Sequence, residues 1–265
     1  MNLIDIGANL THDAFAPDLD DVVARATAAG VAQMIVTGST VDESARAVAL
    51  AETRPGVLHA TVGVHPHHAD ELADTGLAEL RRLATREVVK ALGEMGLDFY
   101  RDLSPREAQE RAFESQLDLA VDLKMPVFLH ERDAHERFQP ILQAHRSRLT
   151  GVVVHCFTGD RRALADYLDL DCHIGITGWV CDERRGKHVL DLVGSIPPDR
   201  LMVETDAPYL LPRTIRPKPK ARRNEPSYLP HVVNTIAAAC GRDPQEVANQ
   251  TTAVAQRFLK LAQER

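Results

Sequence analysis

Leu201-Met-Val-Glu-Thr-Asp-Ala-Pro-Tyr-Leu-Leu-Pro212 runs an apolar segment into two carboxylates, Glu204 and Asp206, and Pro208 stops it. Read as a strand, its period of two sets Glu204 and Asp206 on one face. Two unneutralised carboxylates ending a buried strand repel one another and resist desolvation, so a cation between or above them is the economical solution. A metal ion is the leading candidate. The plainer reading, an N-cap Asp beside a solvated Glu, loses ground because other strand-like runs of the chain also end in ligand-type residues.

Those runs stand at Asn2–Ile6, Val31–Thr37, Leu58–Val64, Val88–Leu92, Pro126–Leu129, Gly151–Val154, Cys172–Ile176 and Leu201–Val203. Their starts lie about 28 residues apart on average, close to the ~30 of one βαβ unit. They are continuous rather than alternating, as in strands buried on both faces. Helical patterns separate them at Asp42–Thr53, Glu71–Thr85, Ala134–Ser147, Asp160–Leu170 and Asp182–Val193. Another opens at Ser104-Pro-Arg-Glu107, with an N-cap Ser, Pro in the first turn and Glu at the capping-box position, and continues through Phe113, Leu117, Ala120 and Lys124. Pro226–Cys240 and Pro244–Lys260 follow the last run, the latter with a stripe of Val247, Thr251, Val254, Phe258 and Leu261. Strand and helix thus alternate eight times, which predicts a (β/α)8 TIM barrel of the α/β class forming a single domain over residues 1–265. The open doubly wound alternative lacks its Gly-rich fingerprint, since Gly7-Ala-Asn-Leu10 follows the first run.

Composition narrows the class. Hydrophobic residues at 44% and charged residues at 26% are ordinary for a globular protein. No window approaches the ~18 apolar residues of a membrane span, and the start lacks a signal-peptide pattern, so a cytoplasmic, membrane-free protein is expected. Cys156, Cys172, Cys181 and Cys240 show no C-x-x-C spacing and read as reduced thiols. A net charge of −7 disfavours broad attraction to nucleic acid, but Arg213-Thr-Ile-Arg-Pro-Lys-Pro-Lys-Ala-Arg-Arg223 packs six cations into eleven residues. That loop suits a polyanion; the alternative is a solvated, Pro-rich surface loop.

In a barrel of this kind, functional side chains gather at the carboxyl ends of strands. Scanning those ends finds His65 and His67 after the third run, Glu94 after the fourth, His130 after the fifth, His155 after the sixth, and Glu204 with Asp206 after the eighth. A lone His there is more often a satisfied core or capping group. Together they form a mixed nitrogen and oxygen set suited to Mg²⁺, Mn²⁺ or Zn²⁺ rather than a thiolate site.

Gly63-Val-His-Pro-His67, Gly93-Glu-Met-Gly-Leu-Asp-Phe99, Pro126–Ala134, His155-Cys-Phe-Thr-Gly159, Ile174-Gly-Ile-Thr-Gly178, Glu204–Leu210 and Arg223-Asn-Glu-Pro226 resemble the TatD family of metal-dependent deoxyribonucleases from end to end. The resemblance implies an amidohydrolase-like barrel and a Mg²⁺-dependent 3′→5′ exonuclease acting on single-stranded DNA and RNA, with a part in repair of oxidative DNA damage. On that reading Glu94, His130, His155 and Asp206 bind metal, Glu94 as a bridging carboxylate. Asp206 also orients or deprotonates water, Glu204 supports it, and His65 is the third catalytic residue. His65, His67, Arg213, Arg222 and Arg223 contact substrate, and Trp179 either stacks on a base or anchors its loop. Most family members open with an Asp-x-His-x-His-like motif, whereas Asp5-Ile-Gly-Ala-Asn9 supplies no imidazole, a departure that narrows the subgroup within the family. The expected consequence is Mg²⁺, with Mn²⁺ as substitute, in preference to Zn²⁺. A monomer is expected. The alternatives are a deacylase or esterase on the same barrel and a metal-binding scaffold without catalysis.

Overall fold

The apolar runs become strands. The computed structural model describes residues 1–219 and 221–261. Its strands are β1 (Leu3–Ala8), β2 (Val31–Val36), β3 (Leu58–Val62), β4 (Val89–Asp98), β5 (Val127–Arg132), β6 (Val152–Val154), β7 (His173–Ile176) and β8 (Leu201–Val203). The helices are α1 (Leu19–Ala28), α2 (Val41–Glu52), α3 (Asp74–Leu83), α4 (Arg106–Leu123), α5 (His135–Arg146), α6 (Arg161–Asp169), α7 (Lys187–Leu192), α8 (Leu229–Cys240) and α9 (Pro244–Leu259). One sheet orders the strands β1 to β8, with helix between successive strands, which is the (β/α)8 class that the intervals anticipate.

The described chain packs as two compact units, the first made of Met1–Val36, Cys156–Asp160 and Ile174–Arg265 and the second of Thr37–His155 and Arg161–His173. In the first, β1 pairs in parallel with β2, β7 pairs in parallel with β8, and Ala8 bridges to Ala207 beyond the end of β8. Helix α9 lies against β1 and β8. In the second, β3, β4, β5 and β6 pair in parallel in that order, and α4 covers β4. Phe113 of α4 stacks on Phe138 of α5 at 5.0 Å between centroids, both fully buried. Burial of each such ring contributes roughly 2–3 kcal/mol.

Four local features depart from the sequence reading. Strand β4 continues to Asp98, and β5 continues past His130, so Glu94 and His130 lie within strands rather than after them. Gly93 and Gly96 make this possible: their φ angles are 140° and 148°, and a Cβ on Gly96 would meet the His130 carbonyl oxygen at 1.9 Å. Only glycine permits that approach of two backbones. Helix α1 has no counterpart among the anticipated helices, although Val22, Val23 and Ala26 form its buried face. Ser104 does not cap α4; its hydroxyl lies 2.7 Å from Asp70 Oδ1 and 2.9 Å from the His67 carbonyl oxygen, which share its single proton. The pattern over Asp182–Val193 resolves into a turn followed by the short α7, because Asp182 Oδ1 accepts the amides of Arg184 and Arg185 at 3.0 and 3.2 Å.

Candidate metal centre

Helix α4 sets the geometry of the second unit's site through two buried glutamines. Gln116 accepts the Val64 amide at 2.7 Å and returns a hydrogen bond to the Val64 carbonyl at 3.1 Å. Gln109 does the same for Asp98, accepting its amide at 2.8 Å and donating to its carbonyl at 3.3 Å. Seven residues apart, the two side chains share one helical face. They pin the residue before His65 and the last residue of β4. Neither glutamine stands out in the sequence reading, though both interrupt an otherwise apolar stripe.

His65, Glu94, His130 and His155 come together around one oxygen. Glu94 Oε1 lies 2.7 Å from His155 Nε2, 2.9 Å from His130 Nδ1 and 3.3 Å from His65 Nε2. Burial opposes ionisation of Glu94, but the adjacent His155 and His65, with ring hydrogen bonds from His130 and His155, outweigh it and hold the carboxyl well below its usual range. Burial pushes His65 down to about 4 against the pull of Glu94. His65 is therefore neutral near pH 7, and because its Nδ1 accepts the His67 amide at 3.1 Å, its Nε2 carries the proton. His65 thus presents a donor, whereas a metal requires a lone pair. His130 is moved the other way: burial lowers it, and the hydrogen bonds to Asp98 and Glu94 more than offset that. His67 turns its Nε2 to Asp98 at 2.7 Å. A ring nitrogen of His65, a ring nitrogen of His130 and a carboxylate oxygen of Glu94 lie within 4.8 Å of one another. An anionic oxygen ringed by imidazoles fits a divalent cation bound through oxygen and nitrogen donors.

The first unit carries the remaining carboxylates. Strand β8 ends at Val203 and Asp206 has φ 54°, so the alternation that would set Glu204 and Asp206 on one face does not extend to them. Glu204 is completely buried and its Oε1 accepts the Cys156 amide at 2.6 Å. Asp206 is half-buried; its amide donates to the Gly7 carbonyl at 2.9 Å, and its Oδ1 accepts from Asn9 Nδ2 at 3.0 Å. Asn9 therefore contributes its amide donor, not its carbonyl oxygen, to the Asp206 carboxylate. Asp5 is buried against Thr205, whose amide it accepts at 2.9 Å.

The described cations of the basic loop divide into those paired with carboxylates and those that line a cleft, one of which, Arg216, donates to the Arg213 and Ile215 carbonyls at 2.8 Å each. Arg213 pairs with Glu183 at 3.0 Å, and Arg223 pairs with Asp18 at 2.7 Å and Glu225 at 2.7 Å, donating also to the Ala14 carbonyl. Arg25 bonds the same Asp18 and Glu225, so the guanidinium of Arg223 is locked in a four-member network. The two terminal nitrogens of Arg223 thus make four hydrogen bonds within the protein. Arg216, Lys218 and Arg222 line a cleft of about 640 Å³. Half-buried Trp179 forms one wall, with the Arg185 guanidinium 4.6 Å above its ring. Lys220 lies outside the described residues.

A sequence profile described as TatD related DNase matches residues 4–260. The chain is 51% identical over 260 residues to the "3′-5′ ssDNA/RNA exonuclease TatD" of Pantoea vagans, covering 98% of this chain and 100% of that one. It is 48% identical over 259 residues to the protein of the same name from Salmonella typhimurium, covering 98% and 99%. Among solved structures, a TatD homolog from Escherichia coli K12 superposes with a TM-score of 0.89 at 28% identity, covering 98% of each chain. Family and cluster together support a divalent metal. With its whole barrel matched by one profile and its imidazole-ringed glutamate in place, the chain belongs to the TatD-related DNase family.

Proposed function

We propose that this protein is a metal-dependent 3′→5′ exonuclease that hydrolyses phosphodiester bonds of single-stranded DNA and RNA. The observation that carries the hydrolase reading is the convergence of His65, His130 and His155 on Glu94; the substrate comes from the relatives' names. Glu94, His130 and His155 would hold the ion, with Asp206 as a further ligand. Mg²⁺ is the preferred ion and Mn²⁺ its substitute, because Gly7 and Asn9 add no imidazole that would favour Zn²⁺. When bound, it would supply Lewis acidity toward a phosphate oxygen and toward water.

The residues do the rest. Asp206, steadied by Asn9, orients the attacking water and accepts its proton; Glu204 holds the Cys156 backbone. The water oxygen bonds to phosphorus as the bond from phosphorus to the 3′ oxygen breaks; the phosphate leaves on the released nucleotide, and the 3′ oxygen takes up a proton from solvent to become the new 3′-hydroxyl. His65 offers its Nε2 proton to a phosphate oxygen. Arg213 and Arg222 contact the backbone of the strand without reading bases. A cytoplasmic setting belongs to the same reading, supported by four free thiols. So do a monomeric state and the repair role that the family resemblance implies.

The test is end-labelled single-stranded DNA incubated with purified protein, with and without EDTA. Stepwise 3′ shortening that EDTA abolishes and Mg²⁺ restores is expected. Glu94→Ala, His130→Ala, His155→Ala and Asp206→Ala should each lose this activity with unchanged circular dichroism. Full turnover in any two of them would overturn the site. Hydrolysis of amides or esters without nucleotide release would favour the deacylase alternative.

A further inference from the structure

We infer that Asp98 is a positioning residue that orients His130, so that the ring turns a lone pair toward Glu94 and the metal. The inference rests on the metal-centre reading above. Asp98 is the last residue of β4 and is 2% exposed. Its Oδ2 lies 2.7 Å from His67 Nε2 and 3.3 Å from His130 Nε2. Its Oδ1 accepts the amides of Tyr100 and Arg101 at 3.1 and 2.8 Å. Gln109 holds its own amide and carbonyl. The carboxylate is therefore fixed at both oxygens and along its backbone.

An ionised carboxylate can only accept hydrogen bonds. The surroundings of Asp98 suit that form, since Oδ1 faces two backbone amides and Oδ2 faces two ring nitrogens. Each ring must then point an Nε2–H at Asp98. For His130 this leaves Nδ1 as the nitrogen that faces Glu94 Oε1 at 2.9 Å. A nitrogen lone pair and a carboxylate oxygen at that separation repel unless a proton or a cation lies with them. Asp98 thus makes His130 a ligand by occupying its other nitrogen, as carboxylates behind metal-bound histidines do elsewhere. His67 shares the same oxygen, and so is set beside the centre by Asp98 instead of turning freely to solvent.

Asp98 also caps residues 99–101, and the test must separate that role from the ring contact. Asp98→Asn does so: its side-chain oxygen can still accept the Tyr100 and Arg101 amides, but it turns an NH₂ toward the rings. Mn²⁺ would be titrated calorimetrically into EDTA-stripped protein without DNA, with His130→Ala as reference. Asp98→Asn should weaken Mn²⁺ binding roughly 10–100-fold while the metal-free Tm stays near wild type. Asp98→Ala should lose both affinity and Tm. Mn²⁺ affinity within about threefold of wild type in Asp98→Asn, alongside a large loss in His130→Ala, overturns the inference and leaves the centre standing. No loss in either variant removes the metal centre itself. Should Asp98→Asn fail to fold, ¹⁵N NMR of the wild-type rings decides, with His130 assigned by difference against His130→Gln: a protonated Nε2 supports the inference, and a His130 protonated only at Nδ1 ends it.

Discussion

Replacing Gln116 by Leu isolates what the glutamine braces contribute. Gln116 is 2% exposed and holds both the amide and the carbonyl of Val64, itself buried, at 2.7 and 3.1 Å. Leucine fills nearly the same volume, so little of the cost comes from a cavity. What is lost is the pairing of two buried backbone groups, each costing about 1–3 kcal/mol when left unsatisfied. Relief from burying the polar amide returns about 1–2 kcal/mol. At the middle of these ranges the net destabilisation is about 2–3 kcal/mol, large against the 5–15 kcal/mol by which domains are typically stable. Urea titration measures it: the midpoint should fall with an unchanged m-value. Because Val64 precedes His65, kcat should fall as well. A loss under about 0.5 kcal/mol would refute the view that Val64 depends on this side chain.

His59 gives a pH test. It is buried, and burial with the nearby Lys90 charge pushes its pKa down to about 4 from 6.5. Neutral His59 therefore supports stability that is complete above pH 6.5 and is lost as pH falls through 4, because the unfolded chain takes up the proton first. His59→Leu should raise stability at pH 5 relative to pH 8 by about 2 kcal/mol, and equal changes at both pH values would contradict this. Arg222→Ala should raise KM for all sequences alike and lower the slope of log affinity against log salt by about 1; altered base preference would show instead that the loop reads sequence. Gly7→His with Asn9→His should tighten zinc binding and lower the Mg²⁺-supported rate. Stoichiometric, EDTA-resistant zinc in the wild type, found by metal analysis, would mean that other residues replace the missing imidazoles.

The strands were legible because each is buried on both faces and so writes a continuous apolar run, and their carboxyl ends pointed to His65, His130 and His155. Gly93 and Gly96 mislead, since as glycines they suggest a loop end but here let two backbones approach within a strand. The sequence pattern also misleads beyond Val203, where alternation lapses at the left-handed Asp206. Gln109 and Gln116 had a signal: they fall at i and i+7 with Phe113 and Ala120, polar exceptions on a core-facing stripe. Asp98 had none of that kind. Its part depends on which ring nitrogen it meets, and no spacing rule encodes that. The commitment of Arg223 to Asp18 was hidden for a similar reason, since the partners are 205 positions apart.

That commitment makes the basic segment a latch with a pivot at only one end. Arg213 holds the near end through exposed Glu183 at 3.0 Å, with buried Asp182 farther off at 3.7 Å, and ions at physiological strength largely screen the exposed pair. Arg223 holds the far end through Asp18 and Glu225, half-buried and doubled by Arg25, where screening is weaker. Rising salt should therefore release the near end first and leave Arg223 as the pivot. Counterions would then act twice on nucleic-acid binding, by competing for phosphates and by unfastening the arm that carries the cations. The dependence on salt should steepen where the latch opens, and proteolysis should begin on the Arg213 side.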